Sequence, residues 1–240
     1  LGEPVILALE ASGESASAAL RLPGGRVLQR LSAGEKQSAF LLPAVDALLA
    51  EAGLSLRDVG LVAVGRGPGA FTGVRFALSV AQGLAFGLGV PAVGVSTLAA
   101  LALDGARRAD AGEGETVLAL LDARMGELYG GLYRIGGKAL AEPLGEEFLA
   151  APGAFPGWVR RAPFRLAAGA VLGSHPRLLP WREAGEVRAV PDARPRAGAV
   201  AELGLASWRL GLAGPAAALA PTYLRDKVAL TETERRSQQP

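Results

Sequence analysis

Short, wholly apolar runs alternate with amphipathic stretches through the first third of the chain. Val5-Ile6-Leu7-Ala8-Leu9 and Leu61-Val62-Ala63-Val64 contain no polar residue, the pattern of strands covered on both faces. Ala16 to Leu22, a Pro23-Gly24-Gly25 break and Arg26 to Leu31 predict a hairpin that continues from the first strand. From Ser38 to Ala52, the residues Leu41, Leu42, Val45, Leu48, Leu49 and Ala52 fall within an arc of roughly 120° at about 100° per residue. That arc predicts a helix laid on a sheet and stopped by Gly53. Val74 to Leu88 predicts a second helix, and Pro91 to Val95 a closing strand.

The order βββαβαβ is the half-unit of the actin and sugar-kinase superfamily, so the expected fold is α/β, actin-like (ASKHA, ribonuclease H-like). Beyond a charged, glycine-bearing loop at Asp104 to Gly114, the rhythm restarts. Val117 to Leu121, the tripeptide Asp122-Ala123-Arg124 and Glu127 to Ile135 predict a strand and hairpin that echo the opening of the chain. Pro, Gly and Arg then dilute the signal until a helix at Ala197 to Leu212. The expected organisation is an intact lobe at 1–100 and a shortened second lobe at 101–215. A segment at 216–230 is expected to pack back on the body, ahead of a flexible tail at 231–240.

The stretch Phe76 to Leu103 carries no charge and so resembles a membrane span. Pro91, Gln82 and the Ser96-Thr97 pair instead favour a buried helix, turn and strand. Charge changes the picture little: 25 basic against 23 acidic residues leave a net charge of +2. Arg107-Arg108, Arg160-Arg161 and Arg194 to Arg196 read as solvated loop charges rather than the concentrated stripe that grips a nucleic acid. With no cysteine and a single histidine, His175, disulfides, thiolate catalysis and a usual N/S transition-metal site are excluded. No apolar leader opens the sequence, and the expected compartment is the cytoplasm.

The most specific motif is Gly67-Pro-Gly-Ala-Phe-Thr-Gly-Val-Arg75, placed between a buried strand and an apolar helix. A helix N-terminus in that position suits an anion, so Gly67, Gly69, Thr72, Gly73 and Arg75 are candidate phosphate contacts. The alternative is a tight glycine turn in which Thr72 caps the helix. The nonapeptide resembles the Gly-Pro-Gly-Ser/Ala-Phe-Thr-Gly-x-Arg signature of the TsaB family. Asp122-Ala-Arg-Met-Gly-Glu-Leu-Tyr129 and Pro221-Thr-Tyr-Leu-Arg225 are similar to two further signatures of that family, in the same order. The resemblance implies an actin-like subunit required for making threonylcarbamoyladenosine on tRNA. Its implied partners are a catalytic paralogue, TsaD, and an ATPase, TsaE, with tRNA met only indirectly.

Departures from the family pattern bear on catalysis. Glu10-Ala11-Ser12 stands where related proteins commonly carry Asp-Thr-Ser/Ala, so Glu10 and Ser12 are either nucleotide contacts or an exposed turn. Asp122 and Arg124 occupy the matching turn of the second half, as a nucleotide site or as a hairpin held by a local Asp–Arg–Glu127 network. The His-x-x-x-His pair of the paralogue is missing from Glu35 to Pro43. The expectation is no catalytic residue, no metal, and ATP or ADP with Mg²⁺ only in an assembled complex. The competing expectation is an actin-fold kinase or transferase acting alone. Because the two N-terminal helices are apolar on nearly every face, Phe40, Ala44, Ala47, Glu51, Arg75 and Phe86 are the expected interface with the paralogue. In the isolated chain the same interface is expected to form a homodimer.

Overall fold

The computed structural model describes residues 2–138, 140–174, 178–179 and 186–225. His175, the end of the expected packing segment and the expected flexible tail lie outside these residues. The N-terminal sheet consists of β1 (Val5–Glu10), β2 (Ser17–Arg21), β3 (Val27–Leu31), β4 (Val59–Gly65) and β5 (Ala92–Val95). Its order is β3-β2-β1-β4-β5, antiparallel on the hairpin side and parallel from β1 through β4 to β5. The second sheet holds β6 (Thr116–Arg124), β7 (Glu127–Gly136), β8 (Leu140–Pro143), β9 (Phe148–Ala150), β10 (Leu166–Ala168) and β11 (Arg188–Val190). Its order, β11-β10-β6-β7-β8 with β9 added to β7, repeats the same antiparallel and parallel relations. The echo expected at Val117 is therefore a repeat of topology, and the fold is α/β and actin-like.

The helices complete the duplication and account for its asymmetry. In the first lobe α1 (Gln37–Ala52) and α2 (Phe71–Leu88) are full crossover helices. The helix that follows β5, α3 (Thr97–Arg108), crosses over and lies on β6, β7, β8 and β10. In the second lobe the described helical segments between strands are short, α4 (Gly157–Arg161) and α5 (Val171–Ser174). That lobe then sends α6 (Ala197–Arg209) onto β1, β2, β4 and β5. Each lobe thus donates its last helix to the other, and one apolar core joins both sheets. Glycine makes the exchange possible twice over. A Cβ on Gly105 of α3 would stand 2.4 Å from the Ala168 methyl carbon on β10, and one on Gly204 of α6 would stand 2.6 Å from that of Ala63 on β4.

This exchange corrects two expectations. The loop expected from Asp104 begins as helix: α3 runs on to Arg108, begun by the Ser96 hydroxyl accepting from the Leu98 and Ala99 amides at 3.1 and 3.2 Å. A lobe boundary at residue 100 falls inside α3, a helix that serves the second sheet. The charge-free run is accordingly helix, turn, strand and helix. The helix that opens this run, α2, is long and apolar enough to cross a membrane, but its inner face, Val74, Ala77, Leu78, Ala81 and Ala85, is buried in the core of the first lobe.

Candidate functional site

Glu10 ends β1, and its carboxylate turns inward instead of out to water. The residue is fully buried, which corrects the reading of it as an exposed turn acid. One carboxylate oxygen accepts from the Ser12 amide at 2.6 Å, and the other from the Thr97 hydroxyl at 3.3 Å. That hydroxyl in turn accepts from the Gly67 amide at 3.2 Å. Burial pushes the Glu10 carboxyl above its ordinary value, and the donors from Ser12 and Thr97 pull it part of the way back.

The glycine loop owes its composition to this turn. A Cβ on Gly65 would lie 1.8 Å from the Glu10 carboxylate, one on Gly69 would lie 2.6 Å from Ser12 Cβ, and one on Gly73 would lie 2.0 Å from the Ala11 carbonyl oxygen. The Ala70 amide donates to the Ser12 carbonyl at 2.8 Å. Gly67, at φ +92° and followed by a cis bond to Pro68, packs beneath the Thr222 carbonyl. Gly67 and Gly73 are buried against the chain itself, whereas Gly69 is half-buried and borders an open cleft. Glu10 is fully buried and does not line that cleft, so its carboxylate is not presented to a bound phosphate or to Mg²⁺ in this arrangement. Thr72 does not cap the helix either: α2 begins at Phe71, with Ala70 in the cap position and no side-chain cap bond.

An open cleft of about 520 Å³ separates the lobes, walled by Ser12, Gly69 and Phe71 on one side and Leu121, Asp122 and Arg124 on the other. The three family signatures meet at its mouth, joined by the third of them. Arg75 Nε donates to the Tyr223 hydroxyl at 2.7 Å, with its guanidinium 3.8 Å above the Phe71 ring and the Phe71 and Tyr223 rings 6.2 Å apart. On the far side Arg225 pairs with Glu127 at 2.7 Å. The hairpin turn is held locally by Asp122, which accepts the Arg124 amide at 2.7 Å and pairs with its guanidinium at 3.1 Å. The expected Asp–Arg pair is present, but Glu127 serves Arg225 and not Arg124.

The expected partner face is rearranged in detail. Phe86 is 84% exposed, Phe40 and Ala47 are half-buried, and Glu51 is exposed, with its carboxylate 2.9 Å from Arg30. Ala44, placed on this face by the sequence reading, is buried among the core residues, whereas Leu42, assigned to the sheet, is exposed. The cause is a roll of α1 toward its smaller side: Ala44 enters the sheet contact and Leu42, at the edge of the arc, leaves it. On α2 the outer row includes Ser79, Gly83, Phe86 and Gly87, and a Cβ on either glycine would meet nothing within 4 Å.

One polar cluster had no signal in the sequence. Tyr133 on β7 is buried, and its hydroxyl and that of Ser96 both donate to the Glu147 carboxylate. Burial, and then the Glu147 charge, raise the phenol well above its usual range. The cluster ties the cap of α3 to the second sheet. Among the described residues no group of three or more His, Cys, Asp and Glu side chains is arranged to hold a metal ion.

Comparison with known proteins agrees with this geometry. The family model "TsaD: tRNA N6-adenosine threonylcarbamoyltransferase" matches residues 31–155. Two curated relatives, the "tRNA threonylcarbamoyladenosine biosynthesis protein TsaB" of Haemophilus influenzae and that of Escherichia coli, are each 41% identical. The alignments run over 124 and 129 residues, which are 52% and 54% of this chain. The chain spans about half the length of these relatives, 51% and 54%. The solved structure "YeaZ from Pseudomonas aeruginosa" is 36% identical with a TM-score of 0.80, covering 92% of this chain and 100% of that one. A second structure, described as an uncharacterized protein with similarity to peptidase YEAZ from Pseudomonas aeruginosa, gives 37% and 0.81 at the same coverage. The signatures brought together at the cleft mouth, the duplicated sheet and these likenesses agree: the chain belongs to the TsaB (YeaZ) family.

Proposed function

We propose that this chain is a non-catalytic subunit required for threonylcarbamoyladenosine modification of tRNA in the cytoplasm. On this reading it docks through α1 and α2 onto the catalytic paralogue TsaD and works with the ATPase TsaE, while tRNA is met only through the complex. The printed names of the curated relatives support the pathway. The observation that carries the docking is the outer face of the helix pair, where Leu42 on α1 is 48% and Phe86 on α2 is 84% exposed, and α2 leaves Gly83 and Gly87 unfilled. Apolar surface beside small residues lets another helix approach to about 8–10 Å between axes. A paralogue of the same design offers a matching helix pair, so the two pairs form a four-helix bundle. Without the paralogue the face meets its own copy about a two-fold axis, giving a homodimer.

Catalytic silence is supported by where the acids point. A kinase or transferase acting alone needs a carboxylate aimed at a bound phosphate and its metal. Glu10 is turned into the protein, and of the two acids that line the cleft among the described residues, Asp122 is engaged by Arg124 and Glu14 stands exposed at its rim. ATP or ADP with Mg²⁺ belongs, on this reading, to the assembled complex.

The test is co-purification with TsaD and TsaE subunits, comparing wild type with Ala47→Arg. Ala47 lies on the half-buried flank of α1, where a long charged side chain blocks close packing. The variant is expected to lose TsaD at unchanged monomer stability. Normal retention of TsaD by Ala47→Arg places the interface elsewhere.

A further inference from the structure

After the 3-10 turn at Ala216–Ala218 packs on α2, the chain crosses from one lobe to the other. The Thr222 amide donates to the Arg66 carbonyl at 2.8 Å, and Tyr223 is held by Arg75 and Phe71. Two residues on, Arg225 donates to the Ala123 carbonyl at 3.1 Å and to the Met125 sulfur at 3.5 Å, and pairs with Glu127 at 2.7 Å. The hairpin tip it holds lies in the left-handed region at successive residues, with φ +63° at Arg124, +56° at Met125 and +75° at Gly126. Residues other than glycine seldom occupy that region, and such turns persist where surrounding contacts hold them. Arg225 supplies contacts of that kind from outside the hairpin.

The other end of the crossing rests on a cation with capacity to spare. Arg75 is exposed in the first turns of α2. Its Nε is used by Tyr223 and its face lies over Phe71, but among the described residues no carboxylate pairs with it. A carboxylate arriving at this end of α2 forms a stronger, charge-assisted bond with the guanidinium than a phenol does, and so competes with Tyr223.

We propose that Pro221–Arg225 is a strap that couples the first turns of α2 to the Arg124–Gly126 tip across the cleft. An acidic side chain of a docked partner takes Arg75 from Tyr223, slackens the strap and frees the tip. The partner clause rests on the reading of α1 and α2 as a docking face; the coupling itself is a property of the free chain.

Hydrogen exchange on the full chain, read by mass spectrometry, tests the coupling without any partner. Arg225→Met is expected to raise exchange over residues 122–128 about tenfold, the effect of losing one charge-assisted contact to a locally opening segment. Arg75→Met, in the other lobe, is expected to raise it at least threefold (roughly the effect of one lost neutral hydrogen bond). The double variant should exchange no faster there than Arg225→Met alone. Amides of β1 and β4 should keep their wild-type rates, which reports an intact fold. If Arg75→Met disturbs those core amides, Tyr223→Phe, which removes only the hydroxyl, takes its place. Wild-type exchange at 122–128 in Arg75→Met or in Tyr223→Phe, beside a clear rise in Arg225→Met, makes the two ends independent anchors and overturns the proposal. No change in Arg225→Met overturns it as well. Normal retention of TsaD by Ala47→Arg with the coupling intact would fault the docking reading and leave the strap standing.

Discussion

Two glycines of α2 should respond to the same substitution with opposite sign. In a helix interior, Gly→Ala gains about 1 kcal/mol from the backbone alone. At Gly83 nothing lies within 4 Å of the added methyl, so Gly83→Ala should realise that gain. At Gly73 the methyl would stand 2.0 Å from the Ala11 carbonyl oxygen and 2.9 Å from the Gln37 amide nitrogen, which itself bonds that carbonyl at 3.0 Å. The Glu10-Ala11-Ser12 turn must shift, at a cost of about 3 kcal/mol or more for overpacking, which outweighs the propensity gain by roughly 2 kcal/mol. For a chain of this size about 1 kcal/mol moves the melting temperature by about 2–4 °C. Thermal unfolding followed by circular dichroism, at a concentration where the chain is monomeric, should therefore show Gly83→Ala about 2–4 °C above wild type and Gly73→Ala at least as far below it. Gly83→Leu extends the test: Leu is nearly as good a helix former as Ala, so the monomer keeps the gain, while the larger side chain fills the gap a neighbouring helix would use. A lower melting temperature for Gly83→Ala means that the outer face of α2 is already covered, and a higher one for Gly73→Ala means that the turn does not pack on the glycine loop. Either result refutes the packing argument.

Further outcomes follow from the buried polar groups and the exposed face. The Glu10 carboxyl is raised above its ordinary 4.5 in the folded protein, so the folded state holds a proton that the unfolded chain releases, and this group's contribution to stability falls as pH rises above about 4.5. The Glu10→Gln variant should match wild type in acid and become progressively more stable than it toward neutral pH; urea titrations across pH that stay parallel would contradict this. Tyr133→Phe removes the buried phenol hydroxyl that donates to the half-buried Glu147 carboxylate and should lower stability by about 1–3 kcal/mol, measured by the same titration. Phe86→Lys, at a side chain 84% exposed, should leave the melting temperature within about 1–2 °C of wild type when both are dilute enough to be monomeric, since surface changes stay near 0.5 kcal/mol. The same variant should abolish self-association in light scattering.

Much of the first lobe was legible because its signals are local. Val5 to Leu9 and Leu61 to Val64 have the length and purity of buried strands, and Gly53 ends α1 in the left-handed conformation its identity suggests. The second lobe was harder to read because β9, β10 and β11 are three residues each, too short for a period of two to register. Helix α3 was hidden by Asp104 and Gly105, which look like loop residues; Gly105 in fact lets α3 settle on Ala168. The burial of Glu10 depends on side chains that Gly65, Gly69 and Gly73 lack, an arrangement of space that spacing along the chain does not encode. The signature residues were recognisable one by one, but their meeting at the cleft mouth follows from the crossing at Thr222 to Arg225.

The central claim is that this chain acts by docking and not by chemistry of its own, and reconstituted tRNA modification tests it most directly. Purified chain, TsaD and TsaE are combined with unmodified tRNA and a threonylcarbamoyl donor, and the modified adenosine is measured by mass spectrometry of the digested tRNA. The account predicts no product from the chain alone, product when wild type joins TsaD and TsaE, and at least tenfold less when Gly83→Leu replaces it at the same concentration, in line with losses of 2 kcal/mol or more at an interface centre. Product formed by the chain alone, or undiminished by Gly83→Leu, would contradict it.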